Sequence, residues 1–365
     1  MKFSINQSEL QIALNTVQKG AATRSTLPVL SGIYIVAKGD QVVFQTTNLE
    51  LSIQYTCAAL VEEEGQAVLP AKLICDIVKN LPDAAIHLTT IDLETTITCD
   101  NSSYSIKGLE PQDFPAFPKV ATDQQIRVPF DVFSSMAKHV CHVVSRDESR
   151  AILTGVLIMA ENGMLRMVAT DSYRLSLVEQ PIESVADDFN AVISGGFVSE
   201  LASLPKSGED ITLALAENQI VISYRGTVFV NRRIEGKFPN YKQLLPNSCE
   251  TRVTVGLTSL VSAVKRVALL DQSGSPVKLS VNAETQTIQL SAVAQDVGSA
   301  QETVPAQIAG GDVDIAFNSS YVLDGLNSTK GDTVDLEIQA SMKPGIFKNP
   351  ADLSYTYLVM PVRLS

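Results

Sequence analysis

Tryptophan is absent from the 365 residues, histidine occurs three times, and no apolar run reaches the length of a membrane span. Each shortage excludes something. A bilayer-crossing helix needs about 20 consecutive apolar residues, so helical membrane anchoring is not expected. His87, His139 and His142 are all that a His-based nucleophile or metal centre could draw on. The five cysteines, at 57, 75, 99, 141 and 249, are odd in number and widely spaced, without a Cys-x-x-Cys pair. They fit neither a disulfide framework nor a zinc site and point to a reducing cytoplasm. Met1-Lys2-Phe3-Ser4-Ile5 leads at once into patterned sequence with no apolar signal core, so secretion is not expected. Basic residues are also scarce, 28 Lys and Arg against 40 Asp and Glu, for a net charge of −12. That balance excludes a protein that coats nucleic acid by bulk attraction, although one basic face on an acidic body remains compatible with it.

Familiar catalytic signatures are missing as well. There is no Gly-x-Gly-x-x-Gly, no phosphate loop ending in Gly-Lys-Ser/Thr, no Gly-x-Ser-x-Gly and no His-Glu-x-x-His. His139 and His142 are three apart on an expected helix and could share a face, but surface or partly buried side chains are the simpler reading. Asp147-Glu148-Ser149-Arg150 sets two carboxylates and a guanidinium before a strand. General acid-base work would need a pocket and shifted pKa values there, and a capped, charge-paired turn explains the same residues. Glu62-Glu63-Glu64-Gly65 reads as a solvated turn, and the Gly-Gly steps at 195–196 and 310–311 as turn or strand-to-helix geometry without a flanking Lys.

What is present is a globular composition, 45% hydrophobic and 19% charged, at a length that suits two or three domains of about 100–200 residues. The chain also repeats itself. Leu27-Pro28-Val29-Leu30-Ser31-Gly32-Ile33 leads to Thr46-Thr47-Asn48-Leu49-Glu50-Leu51, and Ala151-Ile152-Leu153-Thr154-Gly155-Val156 leads to Ala169-Thr170-Asp171-Ser172-Tyr173-Arg174-Leu175. Gly32 and Gly155 stand at the same interval as Asn48 and Asp171. Asp113-Phe114-Pro115 and Lys237-Phe238-Pro239 close the two sections. A fainter third copy runs from Pro276-Val277-Lys278 through Thr287-Ile288-Gln289 to Ala294-Gln295-Asp296. A repeat of about 120 residues exceeds a solenoid unit and reads as three domains of one fold, with linkers near 119–126 and 245–252.

Each copy opens with a short strand and a helix. Apolar residues recur at helical spacing in Leu10, Leu14 and Val17 behind the capping candidates Asn6 and Ser8, in Phe133, Met136, Ala137, Val140 and Val144, and in Leu257, Leu260, Val261, Val264 and Val267. A second helix follows in each, through Ile74, Ile77, Val78 and Leu81, through Phe197, Leu201 and Leu204, and through Val322, Leu323 and Leu326. Most of the remainder alternates at period two, as in Ile211–Leu215 and Thr333–Ile338, and suits half-buried antiparallel strands. The C-terminus is different. Tyr355 to Leu364 stays apolar and β-prone, and Pro361 interrupts the ladder, so the stretch is either a last core strand or one wall of a groove that receives a partner.

Together, Met1-Lys2-Phe3, Arg24-Ser25-Thr26-Leu27-Pro28-Val29-Leu30, Asp147-Glu148-Ser149-Arg150 with Leu153-Thr154-Gly155, Ala169 to Leu175, Lys237-Phe238-Pro239-Asn240-Tyr241 and Val359-Met360-Pro361-Val362-Arg363-Leu364 carry a resemblance. The chain resembles the bacterial sliding clamps, the β subunits of DNA polymerase III, over essentially its whole length. The resemblance implies an α+β chain of three tandem clamp folds, 1–120, 126–247 and 251–365. Antiparallel sheets would lie outside, with two helices per domain facing a central channel, and two chains would join head to tail in a homodimeric ring around duplex DNA. It implies no catalysis, no metal and no cofactor. Partners would be the DNA polymerase III catalytic subunit, a clamp loader complex, and other polymerases and repair proteins with clamp-binding motifs, all in the cytoplasm and away from membranes. The competing reading is a β-rich enzyme with an acidic site near Asp147 and Glu148; a monomeric scaffold that ignores DNA is a third.

Carried over by the resemblance, the partner groove comprises Leu153, Thr170, Ser172, Tyr173, Arg174, Leu175, Pro239, Leu244, Asn318, Tyr321, Met342, Pro344, Leu358, Val359, Met360, Pro361, Val362 and Arg363. The positions that approach DNA are Arg24, Lys72, Arg146, Asp147 and Ser149, and the ring joint uses Tyr104 and Ile106 on one edge and Leu269 and Leu270 on the other. Three departures stand out. Ser194-Gly195-Gly196 replaces a usually basic inner position, leaving Lys138, Lys206 and Lys265 to supply charge. Gln243 stands where a basic residue is common, and Ser365 extends past the usual final Leu.

Overall fold

The computed structural model describes residues 1–122, 124–183, 189–246, 248–270, 276–294 and 297–363. Among these, six α-helices occur: α1 (Gln7–Val17), α2 (Ala71–Asn80), α3 (Phe130–Val140), α4 (Gly195–Ala202), α5 (Leu257–Val267) and α6 (Ser319–Ser328). They bury the faces that the spacing predicts, with Leu10, Leu14 and Val17 on α1, Ile74 and Val78 on α2, and Phe133, Met136 and Val140 on α3. Val144 falls beyond the end of α3. At α1 the expected side-chain cap is not made. Asn6 occupies the N-cap with extended backbone but bonds nothing there, while the Gln7 N–H donates to the Ala84 carbonyl at 3.0 Å and the Gln7 amide to the Val78 carbonyl at 2.7 Å. A tertiary partner satisfies the helix start in place of a local one.

Every strand pair is antiparallel, and the chain forms two compact units. The first comprises residues 1–129 and 208–233. Its larger sheet has the order Gln124–Pro129, Asp210–Leu215, Gln219–Tyr224, Thr227–Arg232, Leu51–Ala58, Gln41–Thr47, Gly32–Lys38, Gly65–Pro70. Its smaller sheet runs Leu60–Glu63, Lys2–Asn6, Ala85–Ile91, Glu94–Cys99, Ser102–Lys107. Phe3, Leu10, Leu14, Ile33 and Phe44 are fully buried in this unit. The second comprises 130–207 and 234–365, with one twelve-stranded sheet in which Arg174–Pro181 pairs with Asp352–Val359. Phe130, Phe133, Phe317, Phe347 and Tyr357 are fully buried there, each contributing about 1.5–3 kcal/mol by leaving water. In both units a sheet joins strands of neighbouring repeats, so compactness and sequence repeat divide the chain differently.

Register explains why the repeat preserves its glycine. Gly32 pairs with Pro70 and Gly155 with Ser194, each just before a second helix. A Cβ on Gly32 would lie 2.4 Å from Val68, and one on Gly155 2.5 Å from Val192. Pro276, paired with Asn318, holds the corresponding place in the third copy. Of that copy's Ala294-Gln295-Asp296, the last two lie outside the described residues, as does Ser365.

All five cysteines are free. Burial pushes the thiol of Cys57 up to about 11 and those of Cys75 and Cys141 up to about 12, and also raises Cys99. The thiolate is the reactive form, so at pH 8 these four are nearly inert. Mass spectrometry after brief iodoacetamide treatment of native protein is expected to find Cys249 modified first, with the other four labelled only on unfolding. Rapid labelling of Cys141 would contradict its burial.

Candidate partner-binding groove

The expected groove residues lie within the second unit, and three of them, Leu175, Leu358 and Met360, share one apolar cluster. Leu175 and Leu358 face each other across the strand pair and are fully buried. They belong to a cluster with Leu157, Val168, Leu177, Val192, Tyr241 and Ile346, against which half-buried Met360, Phe238, Leu245 and Ile152 pack. Among the other expected groove residues, Tyr173, Leu244, Met342 and Val362 expose large apolar surfaces, Tyr173 to 59% and Met342 to 52%. Exposed apolar side chains and a buried apolar cluster on one unit are the kind of surface that takes hydrophobic anchors from a peptide.

The chain enters the site through one tight turn. Asp171 accepts the N–H groups of Tyr173 at 2.9 Å and Arg174 at 3.0 Å, the Ser172 N–H donates to Thr170 Oγ1 at 3.2 Å, and Ser172 takes φ 80°. Thr170 donates its own hydroxyl to the Arg174 carbonyl at 2.7 Å. The C-terminal segment is held on both sides. The Met360 N–H donates to the Tyr173 carbonyl and the Val362 N–H to the Ala316 carbonyl, each at 2.8 Å. Between them Pro361, with no N–H to give, lies past the ladder that ends at Val359. The apolar C-terminus is thus a core strand as far as Val359 and, beyond it, a half-buried to exposed segment tied down by two backbone bonds.

Arg174 ties this turn to α6. Its Nε lies 3.0 Å from Asp171, its Nη1 pairs with Asp324, its Nη2 donates to the His142 carbonyl at 3.2 Å, and its guanidinium sits 4.4 Å over the Tyr321 ring. Burial works against the charge, yet Tyr357, Asp324 and Asp171 outweigh it and raise the pKa, so Arg174 stays cationic at any working pH. Tyr173 stacks against Tyr321 with centroids 6.4 Å apart. Asn318 caps α6 by accepting from the N–H of Ser320 at 2.9 Å and of Tyr321 at 3.3 Å, which fixes Tyr321. Sequence reasoning named Arg174 but missed its partners. Asp171 lay inside a quoted motif, whereas Asp324 and the His142 carbonyl have no sequence signal.

Leu153 is buried beneath the turn Glu148–Thr154, Pro239 and Gln243 are exposed, Pro344 is half-buried, and Arg363 is exposed beyond the last backbone bond. Asp147 caps the Glu148–Thr154 turn. Its carboxylate accepts the Ser149 hydroxyl at 2.6 Å and amide at 3.0 Å, which holds it below the usual carboxylate range. Arg150 lies 3.4 Å from Asp147 and donates to Ser172 at 3.0 Å. The acidic joint is therefore a cap wired to the groove turn, and its carboxyl is shifted away from the raised pKa that a general acid needs.

The residues expected to approach DNA are all exposed. In the first unit these are Arg24 on a loop and Lys72 in the first turn of α2; in the second they are Arg146, Asp147 and Ser149. Lys138 and Lys265 are also exposed, while Lys206 is paired with Asp131 at 2.8 Å and contributes less free charge. Tyr104 is exposed on Ser102–Lys107, an edge strand, but Ile106 is 3% exposed and faces its own core, so it has almost no surface to offer a ring joint. Leu269 is 78% exposed and Leu270 half-buried. His139 and His142 pack on Tyr355 and Tyr357, and among the described residues there is no cluster of three metal-ligating side chains. Among them, too, no helix is long and apolar enough to cross a membrane.

Models of the DNA polymerase III beta subunit match the chain in three consecutive parts: the N-terminal domain over residues 1–118, the central domain over 127–240 and the C-terminal domain over 242–363. The chain belongs to the DNA polymerase III beta subunit family. Its relatives include the beta sliding clamp of Staphylococcus aureus, 31% identical over all of this chain and 99% of the relative, and that of Staphylococcus epidermidis at 32% identity over the same shares. The crystal structure of the DNA polymerase sliding clamp from Bacillus subtilis superimposes with a TM-score of 0.95 at 28% identity, covering 100% of both chains. The fold is therefore the three-domain clamp fold of that family, α+β with antiparallel sheets.

Proposed function

We propose that this chain works as a DNA sliding clamp, a processivity factor that encircles duplex DNA as a head-to-tail homodimer and tethers a polymerase through the groove. Family membership over the full length supports the reading, and the apolar floor of Leu175 and Leu358 under Met360 is the observation that carries the tethering part. The proposed groove is the full set from Leu153 to Arg363 given above, with half-buried Met360 taking an apolar anchor and the buried Leu175 and Leu358 supporting it from beneath. Arg24, Lys72, Arg146, Asp147 and Ser149 would approach the duplex, and Tyr104, Leu269 and Leu270 would serve the ring joint, with Ile106 supporting its strand from inside. The proposed domain limits are 1–120, 126–247 and 251–365. Partners would be the DNA polymerase III catalytic subunit, a clamp loader complex, and other polymerases and repair proteins, all in the cytoplasm.

The mechanism follows from topology. A closed ring needs no grip on bases and few phosphate contacts, so it can slide while still linked to the DNA. A net charge of −12 fits, because an acidic exterior discourages adhesion to nucleic acid while cations approach the phosphates from inside. A peptide laid along the groove would bury a few apolar side chains at about 25 cal/mol per Å2, less the cost of ordering, which gives affinities weak enough for partners to exchange.

The test is retention on nicked circular DNA after incubation with a clamp loader from the same cells and ATP. Retention on the circle and release when a restriction enzyme linearises it is the expected result. Equal retention on both forms would mean ordinary DNA binding and overturn the ring mechanism, and no retention would do so as well.

A further inference from the structure

Helices α3 and α6, both in the second unit, line a shared cavity of about 260 Å3. Ser135, Lys138 and His139 come from α3, Asn327 and Ser328 from α6, and Lys330 follows just past the end of α6. No acidic and no apolar side chain is among them. The ammonium groups of Lys138 and Lys330 make neither hydrogen bond nor ion pair among the described residues, and the Ser135 hydroxyl and Asn327 amide are equally uncommitted there. His139 forms a fixed wall, its Nδ1 donating to the Ser135 carbonyl at 2.6 Å and its ring 4.8 Å from that of Tyr355. Asp352 is near enough to act on His139 and Lys330, but its carboxylate accepts the Ser354 hydroxyl at 2.5 Å and amide at 3.0 Å and does not line the cavity.

Two unpaired cations in one cavity stand out on a chain of net charge −12. Lys138 lies in the last turn of α3 and Lys330 just beyond that of α6, where the negative ends of both helix dipoles favour a cation. Those dipole ends work against an anion. One lysine alone would therefore hold an anion poorly, and a site here depends on both.

We infer that the cavity is a phosphate-binding site, in which Lys138 and Lys330 hold the group from two elements while Ser135 and Asn327 supply neutral donors. A phosphate accepts hydrogen bonds on oxygens in a tetrahedral array, which suits donors arriving from two helices; a carboxylate offers two oxygens in one plane. A peptide would find no apolar side chain here to bury, unlike at the groove of Leu175 and Met360. The phosphate belongs either to the DNA backbone, a source that rests on the clamp reading, or to a free phosphate compound, a source that does not.

The probe is inorganic pyrophosphate, titrated calorimetrically into the full-length protein in a chloride buffer free of divalent cations. One saturable site per chain is expected, weakened about tenfold or more by Lys138→Gln and by Lys330→Gln and retained in Lys330→Arg. Both lysines are exposed, and circular dichroism of each variant checks the fold. Lys38→Gln, an exposed lysine of the first unit, makes the same change in net charge and is expected to leave binding unaltered. A duplex of about 20 base pairs that displaces the pyrophosphate identifies the backbone as the source; a duplex that leaves it bound identifies a free compound. The proposal is overturned if pyrophosphate shows no saturable binding, if both glutamine variants bind it as the parent does, or if Lys38→Gln weakens it equally. Loading on nicked circles is read separately. Loading without pyrophosphate binding overturns this site alone, and pyrophosphate binding without loading overturns the clamp reading alone.

Discussion

Met360→Ala combined with Leu175→Ala is expected to abolish binding of a Gln-Leu-x-Leu-Phe type peptide while the dimer persists. Leu175 is fully buried opposite Leu358, and Met360 packs half-buried on the same cluster, so one substitution hollows the floor and the other strips its lip. Truncating Met360 removes up to about 1.5–3 kcal/mol of apolar contact, or roughly 10- to 150-fold in affinity, while the buried Leu175 acts by collapsing the floor beneath it. Leu175→Ala also carries a stability cost of about 2–5 kcal/mol as a core truncation, which Met360→Ala largely avoids. The single Met360 variant therefore separates lost contact from lost fold. Fluorescence polarisation reads the affinity and sedimentation reads the dimer; unchanged peptide affinity in the double variant would show that the floor is not where anchors bind.

The second large effect is predicted at Gly325, in the middle of α6. Alanine there would ordinarily help a helix by about 1 kcal/mol. Here the added Cβ would lie 2.1 Å from Cδ1 and 2.3 Å from Cε1 of Tyr357. That ring cannot move aside cheaply, because it is fully buried and its hydroxyl donates to the Tyr321 carbonyl at 2.8 Å. Overpacking of this kind costs about 1–3 kcal/mol or more, so Gly325→Ala is expected to lower Tm by roughly 4–10 °C. Gly196→Ala is the control, since its Cβ would meet only Ser194 Oγ at 3.7 Å in the first turn of α4. Equal melting temperatures for the two variants would mean that α6 does not press on Tyr357. Because Tyr321 sits one turn before Gly325, displacement of the helix should also loosen the Arg174 clamp and weaken peptide binding.

Much of this architecture was legible because the repeat is written in residues with narrow structural meaning. Gly32 and Gly155 mark the same close strand approach, and Asn48 and Asp171 make the same side-chain turn, so their shared interval reports a shared fold. Helical faces such as Leu10, Leu14 and Val17 could be read from spacing alone. Period-two segments were less informative. Alternation around Tyr104 and Ile106 cannot say which face is covered, and Ile106 proves to be core. Polar contacts between distant segments were invisible. Nothing near Asp324 signals that it pairs with Arg174, 150 residues earlier. Nor did Asn6 reveal that Gln7, held by Ala84 and Val78, makes the cap unnecessary.

Sheets that join neighbouring repeats also set a timetable for synthesis. Leu51–Ala58 cannot complete its pairing until Thr227–Arg232 has been made, and Arg174–Pro181 must wait for Asp352–Val359. At about 5–20 residues per second the ribosome needs roughly 10–35 s to bridge either gap of about 170 residues. Throughout that interval a β-prone strand offers unpaired backbone to any other nascent chain. Chains truncated near residue 200 are therefore expected to aggregate, a consequence of building sheets across repeat boundaries.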